Sequence, residues 1–536
     1  MPLTRSVRGH TRRLGFRATA AVIGLLLPLA LAPGAMAARA GCSARPSGSG
    51  EWPVYGHDLA NSRNQRQERK IGPRNVSGLS TAWVFSSADH GDQSAFNTTP
   101  VASGGCVFIG SAAGYLYAIN ASNGRLVWKQ RPAVTSPGFG GTIVSAAAVH
   151  GRDVIWLVNQ ANRPYAIALD RSTGAVRWQS APLISKSGYY TNASPTVARG
   201  MVVAGYSDPE GNDVGSGGFA LINARTGATI KVIPVVSRRD QARGYAGGGL
   251  WDTPAFDPST GYLYYGTGNP DSKTKQDPNT DAIVKVDLNR HLPGSSGSNP
   301  RFGQIVARYP GNIDQYTNAL HVVAQTPACT ASDSSGAPWP LDDPVCGQLD
   351  LDFGASPNLF RDASGTELVG ELQKAGVYHV ANARTMAPVW HRVVGAPCAA
   401  CNAGSSAFDG RAIDVVGTPG STLFALGDGT GAMNWSDPLG DGLHYQSTSA
   451  ANGVVYAVDN DGFLDAFDAA TGQPLLKRQL SADTGAPTGG GLTSNGVSIA
   501  EGEILVAGSS ASGDANATAG SSPGAGPDGA YVVAYR

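Results

Sequence analysis

The sequence predicts an all-β protein, an eight-bladed β-propeller whose ring is closed by strands from the two ends of the chain. Three observations predict it. A turn motif recurs along almost the whole chain, no helical periodicity or linker divides its 536 residues, and the chain ends on half a repeat. The motif is a small or apolar residue, Asp or Asn two places on, then Thr-Gly and usually Trp. It reads Ala118-Ile-Asn120-Ala-Ser-Asn123-Gly124 ending in Trp128, Ala168-Leu-Asp170-Arg-Ser-Thr173-Gly174 ending in Trp178, Leu221-Ile-Asn223-Ala-Arg-Thr226-Gly227, and Ala466-Phe-Asp468-Ala-Ala-Thr471-Gly472. Degraded copies stand at Val380-Ala-Asn382 to Trp390, at Ala425-Leu-Gly427 to Trp435, and around Val286-Asp287. A period of about 40 to 50 residues marks a repeat architecture.

Each copy reads as one hairpin. The alternation before it (Val107-Phe-Ile-Gly, then Tyr115-Leu-Tyr-Ala) suits a half-buried strand. Asp/Asn-x-x-Thr-Gly suits a tight turn, and the stretch ending in Trp suits the next strand. A blade of about four short strands buries little alone, so blades must stack around an axis, with each Trp wedged between neighbours. Seven copies are internal. The chain ends on Tyr531-Val-Val-Ala534-Tyr-Arg536, half of an eighth, whose missing outer strand is expected from Thr81-Ala-Trp83-Val-Phe85. That closure removes the exposed sheet edges.

Taken in order, residues 1–37 read as a secretory signal: Arg5, Arg8, Arg12, Arg13 and Arg17, an apolar run from Ala20 to Leu31, then Ala35-Met36-Ala37 as a cleavage site. Arg12-Arg13 with Phe16 is compatible with a twin-arginine signal. Residues 38–78 form an N-terminal extension and 79–536 the propeller. The stretch from Gly508 to Gly529, rich in Ser, Ala and Gly, reads as an insertion before the last strand. The signal is too short and wrongly flanked for a stable membrane span.

The chain carries 40 basic and 40 acidic residues; losing the signal removes five Arg and no acid, leaving 35 against 40. A mildly acidic surface argues against nucleic acid as a partner. The six cysteines, Cys42, Cys106, Cys329, Cys346, Cys398 and Cys401, suit an exported chain with disulfides. Proximity favours Cys329 with Cys346 and Cys398 with Cys401, and elimination leaves Cys42 with Cys106; sequence alone does not choose among the fifteen pairings. Asn402 follows Cys401 where haem attachment needs His, and Arg39 disfavours Cys42 as a lipoprotein cysteine.

Between the repeats stand four segments that resemble the pyrroloquinoline quinone (PQQ) dependent alcohol dehydrogenases, including polyvinyl alcohol dehydrogenases, over roughly residues 50 to 536. Gly247-Gly-Gly-Leu-Trp251 is similar to the segment whose Trp floors the quinone. Tyr264-Tyr-Gly-Thr-Gly-Asn269-Pro270 resembles the turn whose Asn binds calcium. Leu351-Asp352-Phe353-Gly354 resembles the segment bearing the catalytic Asp, and Gln373-Lys374 the one whose Lys contacts the quinone oxygens. Their order along the chain is the family's order. A fifth match puts Glu210, in Ser207-Asp208-Pro-Glu210, where the family has a calcium-binding Glu, with Asp208 as the local competitor.

The resemblance implies a propeller of PQQ-dehydrogenase type, with PQQ and Ca2+ as cofactors. Glu210, Asn269 and Asp352 would hold the metal with the oxygen ligands a hard cation prefers. Trp251, Lys374 and Asn97 would meet the quinone, and Asp352 would take the hydroxyl proton of an alcohol while calcium acts as Lewis acid. Gly354 stands where lanthanide-using relatives carry a further Asp, which favours calcium. Without a haem site, the electron acceptor is expected to be separate, a cytochrome c or a small quinone.

The sequence also departs from the family. Cys106 is alone where well-known relatives have two adjacent cysteines, Asn97 replaces a cofactor-binding Glu, and Ile143 to Ala148 offers no Arg for a quinone carboxylate. Gly249 stands before Leu250-Trp251, where relatives often place Thr. A segment from Cys329 to Cys346, with Trp339, lies just before Asp352 and is placed to cover the site. The competing reading is a non-catalytic propeller scaffold of the outer-membrane assembly type, which would not need Trp251, Asn269, Asp352 and Lys374 together.

Overall fold

The structure is a computed structural model, and it describes residues 41–43, 50–132, 143, 145–209, 215–272, 275–291, 296–311, 351–396, 402–418, 420–440, 444–459, 461–485, 496–509 and 529–536. The signal segment with its Arg pair, Glu210, Trp339, Cys329, Cys346, Cys398, Cys401 and most of the Ser/Ala/Gly-rich stretch lie outside the described residues.

Eight antiparallel sheets form from successive strands, as the repeat requires. Blades 1 to 7 begin at the inner strands Val101–Ser103, Ala148–His150, Thr196–Ala198, Ala255–Asp257, Asn358–Arg361, Ala407–Phe408 and Ser449–Ala451. Blade 8 runs Ser498–Ala500, Glu503–Ser509, Ala530–Tyr535 and then Thr81–Ser86, which pairs antiparallel with Ala530–Tyr535. The expected closure is therefore present: the ring's last sheet takes its outer strand from the other end of the chain.

The motif has a physical cause at each position. Asp170 accepts from the backbone N–H of Ser172 and Thr173 through its side chain, and Asp468 accepts in the same way from Ala470 and Thr471. These carboxylates fix the turn. The following Gly takes a positive φ, +73° at Gly174 and +74° at Gly472. A side chain there is excluded twice over: a Cβ on Gly174 would stand 2.8 Å from Trp128 of the preceding blade, and one on Gly227 would stand 2.7 Å from Trp178.

The Trp of one blade thus lies flat on the turn Gly of the next. Its indole N–H donates to the carbonyl just after the motif's Asp/Asn position, which is Gly427 in blade 6: Trp83 to Ala121, Trp128 to Arg171, Trp178 to Ala224, Trp390 to Asp428 and Trp435 to Ala469. Five of the eight seams between blades are clamped this way. Burying an indole with its N–H satisfied is among the larger single contributions a side chain makes to stability, about 3–5 kcal/mol on truncation.

The extension does more than precede the propeller. Trp52 exchanges backbone hydrogen bonds with Ala102 of blade 1, and Pro53 accepts from Val149 of blade 2. Leu59, Ala60, Ser62 and Arg63 accept from Phe256, Leu359, Phe408 and Ala450 of blades 4 to 7. One strap thus ties inner strands around the ring, and a parallel pairing of Asn64–Gln65 with Ala450–Ala451 extends it. Arg63, fully buried, donates to the carbonyls of Thr448 and Tyr55 and packs its guanidinium on the Tyr55 ring. A Cys42–Cys106 disulfide, the pairing left by elimination, joins the extension to blade 1. Among the described residues no helix is long and apolar enough to cross a membrane.

Candidate active site

The strap bonds the inner strands at or near their middle residues. The segments that enter these strands and those that leave the second strands carry the candidate site. Trp251 and Asp352 precede the inner strands of blades 4 and 5, while Asn269 and Lys374 follow the second strands Tyr262–Gly266 and Glu367–Gln373 of the same two blades. Alternating up-and-down strands therefore deliver all four to one face, on either side of a single seam.

The glycine run explains how Trp251 gets there. Gly247 (φ +100°) and Gly248 pass so close to the Asn269–Pro270 backbone that a Cβ on Gly247 would sit 2.3 Å from the Asn269 carbonyl oxygen. Gly248 N–H donates to that oxygen at 2.9 Å and Gly268 N–H to the Gly249 carbonyl at 2.8 Å. The floor segment and the Gly-Asn-Pro turn are thus one backbone unit.

Asp352 is the centre of the arrangement. Its Oδ2 accepts from Lys374 Nζ at 3.0 Å and its Oδ1 from the Asn269 backbone N–H at 3.2 Å. Its backbone carbonyl accepts the Lys374 N–H at 2.9 Å. Both side chains of this ion pair are only 5% exposed. Lys374 Nζ also stands 4.7 Å from the centroid of the half-buried Trp251 ring, a cation–π distance. Asn269 Nδ2 is buried with no hydrogen-bond partner in the structure, a donor that a bound group could satisfy.

Four of the sequence-predicted residues, Trp251, Asn269, Asp352 and Lys374, are therefore brought together. Asn97 is buried on the same face, before the inner strand of blade 1, three blades round the ring from blade 4. Asp208, the competitor to Glu210, is buried just beyond the second strand of blade 3. Among the described residues no three His, Cys, Asp or Glu side chains converge on one point, so Asp352 and Asn269 form only part of any metal shell.

Residues that sequence reasoning missed support these four. Asn402, fully buried with φ +55°, donates from Nδ2 to the Lys374 and Ala396 carbonyls and accepts from the Thr418 N–H through Oδ1. It lies ahead of the inner strand of blade 6, the place Asp352 occupies in blade 5, and that shared position was the available signal. His379 receives the Tyr309 hydroxyl on Nδ1 and donates from Nε2 to Gln373 Oε1, beside Lys374. Burial first, and His391 second, push its pKa down to about 3, so the ring is neutral with the proton on Nε2. Behind Trp251, the fully buried carboxyls of Asp252 and Glu371 are both pushed well up by burial, Glu371 further by the charge of Asp252. Asp252 accepts the Gly266 N–H at 3.0 Å, while neither oxygen of Glu371 has a partner.

The sequence model of the PQQ_2 family, described as outer membrane protein assembly factor BamB, matches residues 75–269 and 373–523. This chain belongs to the PQQ_2 family. Among curated relatives of this PQQ_2 protein are quinohemoprotein alcohol dehydrogenase of Comamonas testosteroni, 27% identical over 41% of this chain and 33% of the relative, and polyvinylalcohol dehydrogenase of Sphingopyxis sp. (strain 113P3), 23% identical over 87% and 74%. The chain thus spans about a third of the length of the quinohemoprotein it matches. Among solved structures, quinohemoprotein alcohol dehydrogenase from Comamonas testosteroni superposes with TM-score 0.65 at 18% identity, covering 90% of this chain and 80% of that one. A europium-containing methanol dehydrogenase gives 0.67 at 15% identity, covering 91% and 98%. The recognised fold, the propeller of PQQ-type dehydrogenases, is thus shared by these neighbours.

Proposed function

We propose that this chain is an exported PQQ-dependent dehydrogenase that oxidises an alcohol, with Ca2+ as Lewis acid and Asp352 as base. One observation carries the reading. A buried carboxylate is held by an ammonium and an amide N–H beside a half-exposed indole face, across one seam. The residues fit the two cofactors. Trp251 offers the wide aromatic surface a flat tricyclic quinone needs. Asp352 and the Asn269 amide supply oxygen donors for a hard cation, with Glu210 as the further carboxylate the reading requires.

When bound, PQQ with its calcium would supply the hydride acceptor and its polarisation. The rest belongs to the chain. Asp352 takes the hydroxyl proton on its carboxylate, whose Oδ2 Lys374 Nζ holds at 3.0 Å. Lys374 also places positive charge where the acceptor gains electrons. Asn269 fixes Asp352 through its backbone N–H, and Trp251 sets the plane of the cofactor with Asn97 as a further contact. The bound cofactor would supply the electrons that a separate acceptor, a cytochrome c or small quinone, would take up.

The substrate is an alcohol, and a secondary alcohol, polyol or polyvinyl alcohol is the class we favour, because the relative matched over most of its length is named a polyvinylalcohol dehydrogenase. A non-catalytic assembly scaffold is the second reading, and its support is the description of the family's model. Such a scaffold gives no reason to bury Lys374 and Asp352 together. The test is dye reduction by the purified chain loaded with PQQ and Ca2+ against primary, secondary and polymeric alcohols. Turnover that falls by about 10³-fold or more in Asp352→Asn is expected, since loss of a general base costs roughly 10²–10⁴-fold. No turnover with any alcohol would favour the scaffold.

A further inference from the structure

Gly354 lies two residues beyond Asp352, and its backbone is not in the left-handed region, so conformation does not demand glycine there. Space does. A Cβ at this position would stand 2.6 Å from Cη2 and 2.9 Å from Cζ2 of Trp251, and 3.2 Å from the Ala403 Cβ. The benzo edge of the indole therefore rests on the bare backbone of Gly354, between the segments that precede blades 5 and 6. On its ring face stands Lys374 Nζ. One edge of the indole is thus seated and one face lies under an ammonium.

We infer that Gly354 is the seat of Trp251, a positioning residue that sets the plane on which a flat aromatic ligand stacks and that admits no side chain of its own to the site. The inference deepens the cofactor reading above and rests on it for the ligand's identity, whereas the seat itself is a property of the chain alone. A methyl group at 354 cannot push the Gly354 backbone away cheaply, because the Asp352 carbonyl accepts the Lys374 N–H and the Phe353 N–H donates to the Thr267 carbonyl. Trp251 is half-exposed, so it is the group that yields. Overpacking is thereby converted into a tilt of the floor, with little change in the fold.

The test compares wild type, Gly354→Ala, Trp251→Phe and the double variant Gly354→Ala/Trp251→Phe. Phenylalanine lacks the two atoms that the new methyl would meet. Subtracting the emission of Trp251→Phe from wild type isolates Trp251, and subtracting the double variant from Gly354→Ala isolates the displaced ring. The seat predicts a red-shifted, more quencher-accessible Trp251 spectrum in Gly354→Ala without any cofactor. It also predicts that PQQ affinity, read by absorbance titration with Ca2+, falls roughly tenfold in Gly354→Ala yet less than about twofold when Phe is already at 251.

An unchanged difference spectrum, or equal affinity losses in both backgrounds, overturns the inference. If Gly354→Ala fails to fold, rescue of folding by Trp251→Phe supports the seat, and failure of both chains overturns it. A shifted spectrum in a chain whose wild type takes up no PQQ leaves the seat standing and removes the cofactor reading.

Discussion

Two kinds of seam hold this ring together, and the candidate site lies on the rarer kind. At five seams an indole covers a turn glycine and its N–H reaches the carbonyl one residue past the motif's Asp/Asn position. At the seam between blades 4 and 5 the Trp position is Ala307 and the turn Gly is Met386, which keeps the positive φ (+59°) without being glycine. The two changes match: a turn that carries a side chain leaves no room for an indole, and Met386 and Ala307 pack in one cluster. The carbonyl freed of its indole partner, that of Ala383, accepts instead from Lys285 Nζ at 2.8 Å and Tyr264 Oη at 2.7 Å. Between blades 3 and 4 the Trp position is Lys231, which donates to Phe302 beside Gly303. Blade 4, the bearer of Trp251 and Asn269, thus lacks a Trp clamp on both sides.

The difference teaches where the repeat serves only the ring and where it has been given over to chemistry. At a clamped seam the indole, its turn glycine and the N–H bond join the two blades locally. The seam between blades 4 and 5 is threaded with polar groups, Lys285, Tyr309–His379, Asp252 and Glu371, which cost desolvation but hold Gln373, Lys374 and the Gly266–Asn269 segment in place. On this account the bound cofactor and cation join two blades that the motif leaves unclamped.

Removing a clamp should have the largest effect on the ring. Trp178→Ala is expected to cost about 3–5 kcal/mol in urea denaturation, by loss of both the ring on Gly227 and the bond to Ala224. Gly174→Ala meets Trp128 as well as a φ of +73° and should cost about 2–4 kcal/mol. Gly151→Ala has a similar φ of +60° but nothing within 4 Å, so it should cost only about 1–2 kcal/mol. Equal losses at the two glycines would sink the clamp as the reason for the motif.

A sharper version rebuilds the missing clamp. Ala307→Trp alone should destabilise, because Met386 fills the place of the ring, whereas Ala307→Trp with Met386→Gly should recover most of that loss, a coupling of about 1–3 kcal/mol. The double-mutant cycle is read from denaturation midpoints.

The smallest effect concerns pH. Burial raises the Glu371 and Asp252 carboxyls above their unfolded values, so the native state holds protons that the unfolded state has lost. Stability from this pair is full below the unfolded pKa and declines as pH rises through the native one. Glu371→Gln should flatten that decline, with its melting temperature gaining on wild type from acidic to neutral pH. A constant offset at every pH would contradict the assignment.

Much of the ring was legible because a period-setting motif states its physics locally. The Asp170 turn, the Gly174 φ and the Trp128 stack each require one residue type, and the half-repeat at Tyr531–Tyr535 announces its partner at Thr81–Phe85. Trp251, Asn269, Asp352 and Lys374 were picked out by the resemblance of their segments to one family, in that family's order, and the fold brings them together. The strap was not legible: Trp52 and Arg63 have no periodicity, and their value comes from backbone bonds to inner strands hundreds of residues away. Nor was the role of Lys285 or Glu371, which reads as an ordinary strand charge until the fold brings blades 4 and 5 face to face.

On the proposed reading, Trp251 and Asn269 of blade 4 and Asp352 and Lys374 of blade 5 hold one planar cofactor and one cation across their seam. Calorimetric titration of the purified chain with PQQ, with and without Ca2+, tests it most directly when repeated on Trp251→Ala and Asp352→Asn. The account predicts one PQQ per chain, taken up far more tightly with Ca2+, with calcium dependence lost in Asp352→Asn and affinity weakened in Trp251→Ala. Binding with the same affinity in all three chains, or no binding with both ligands in excess, would contradict it.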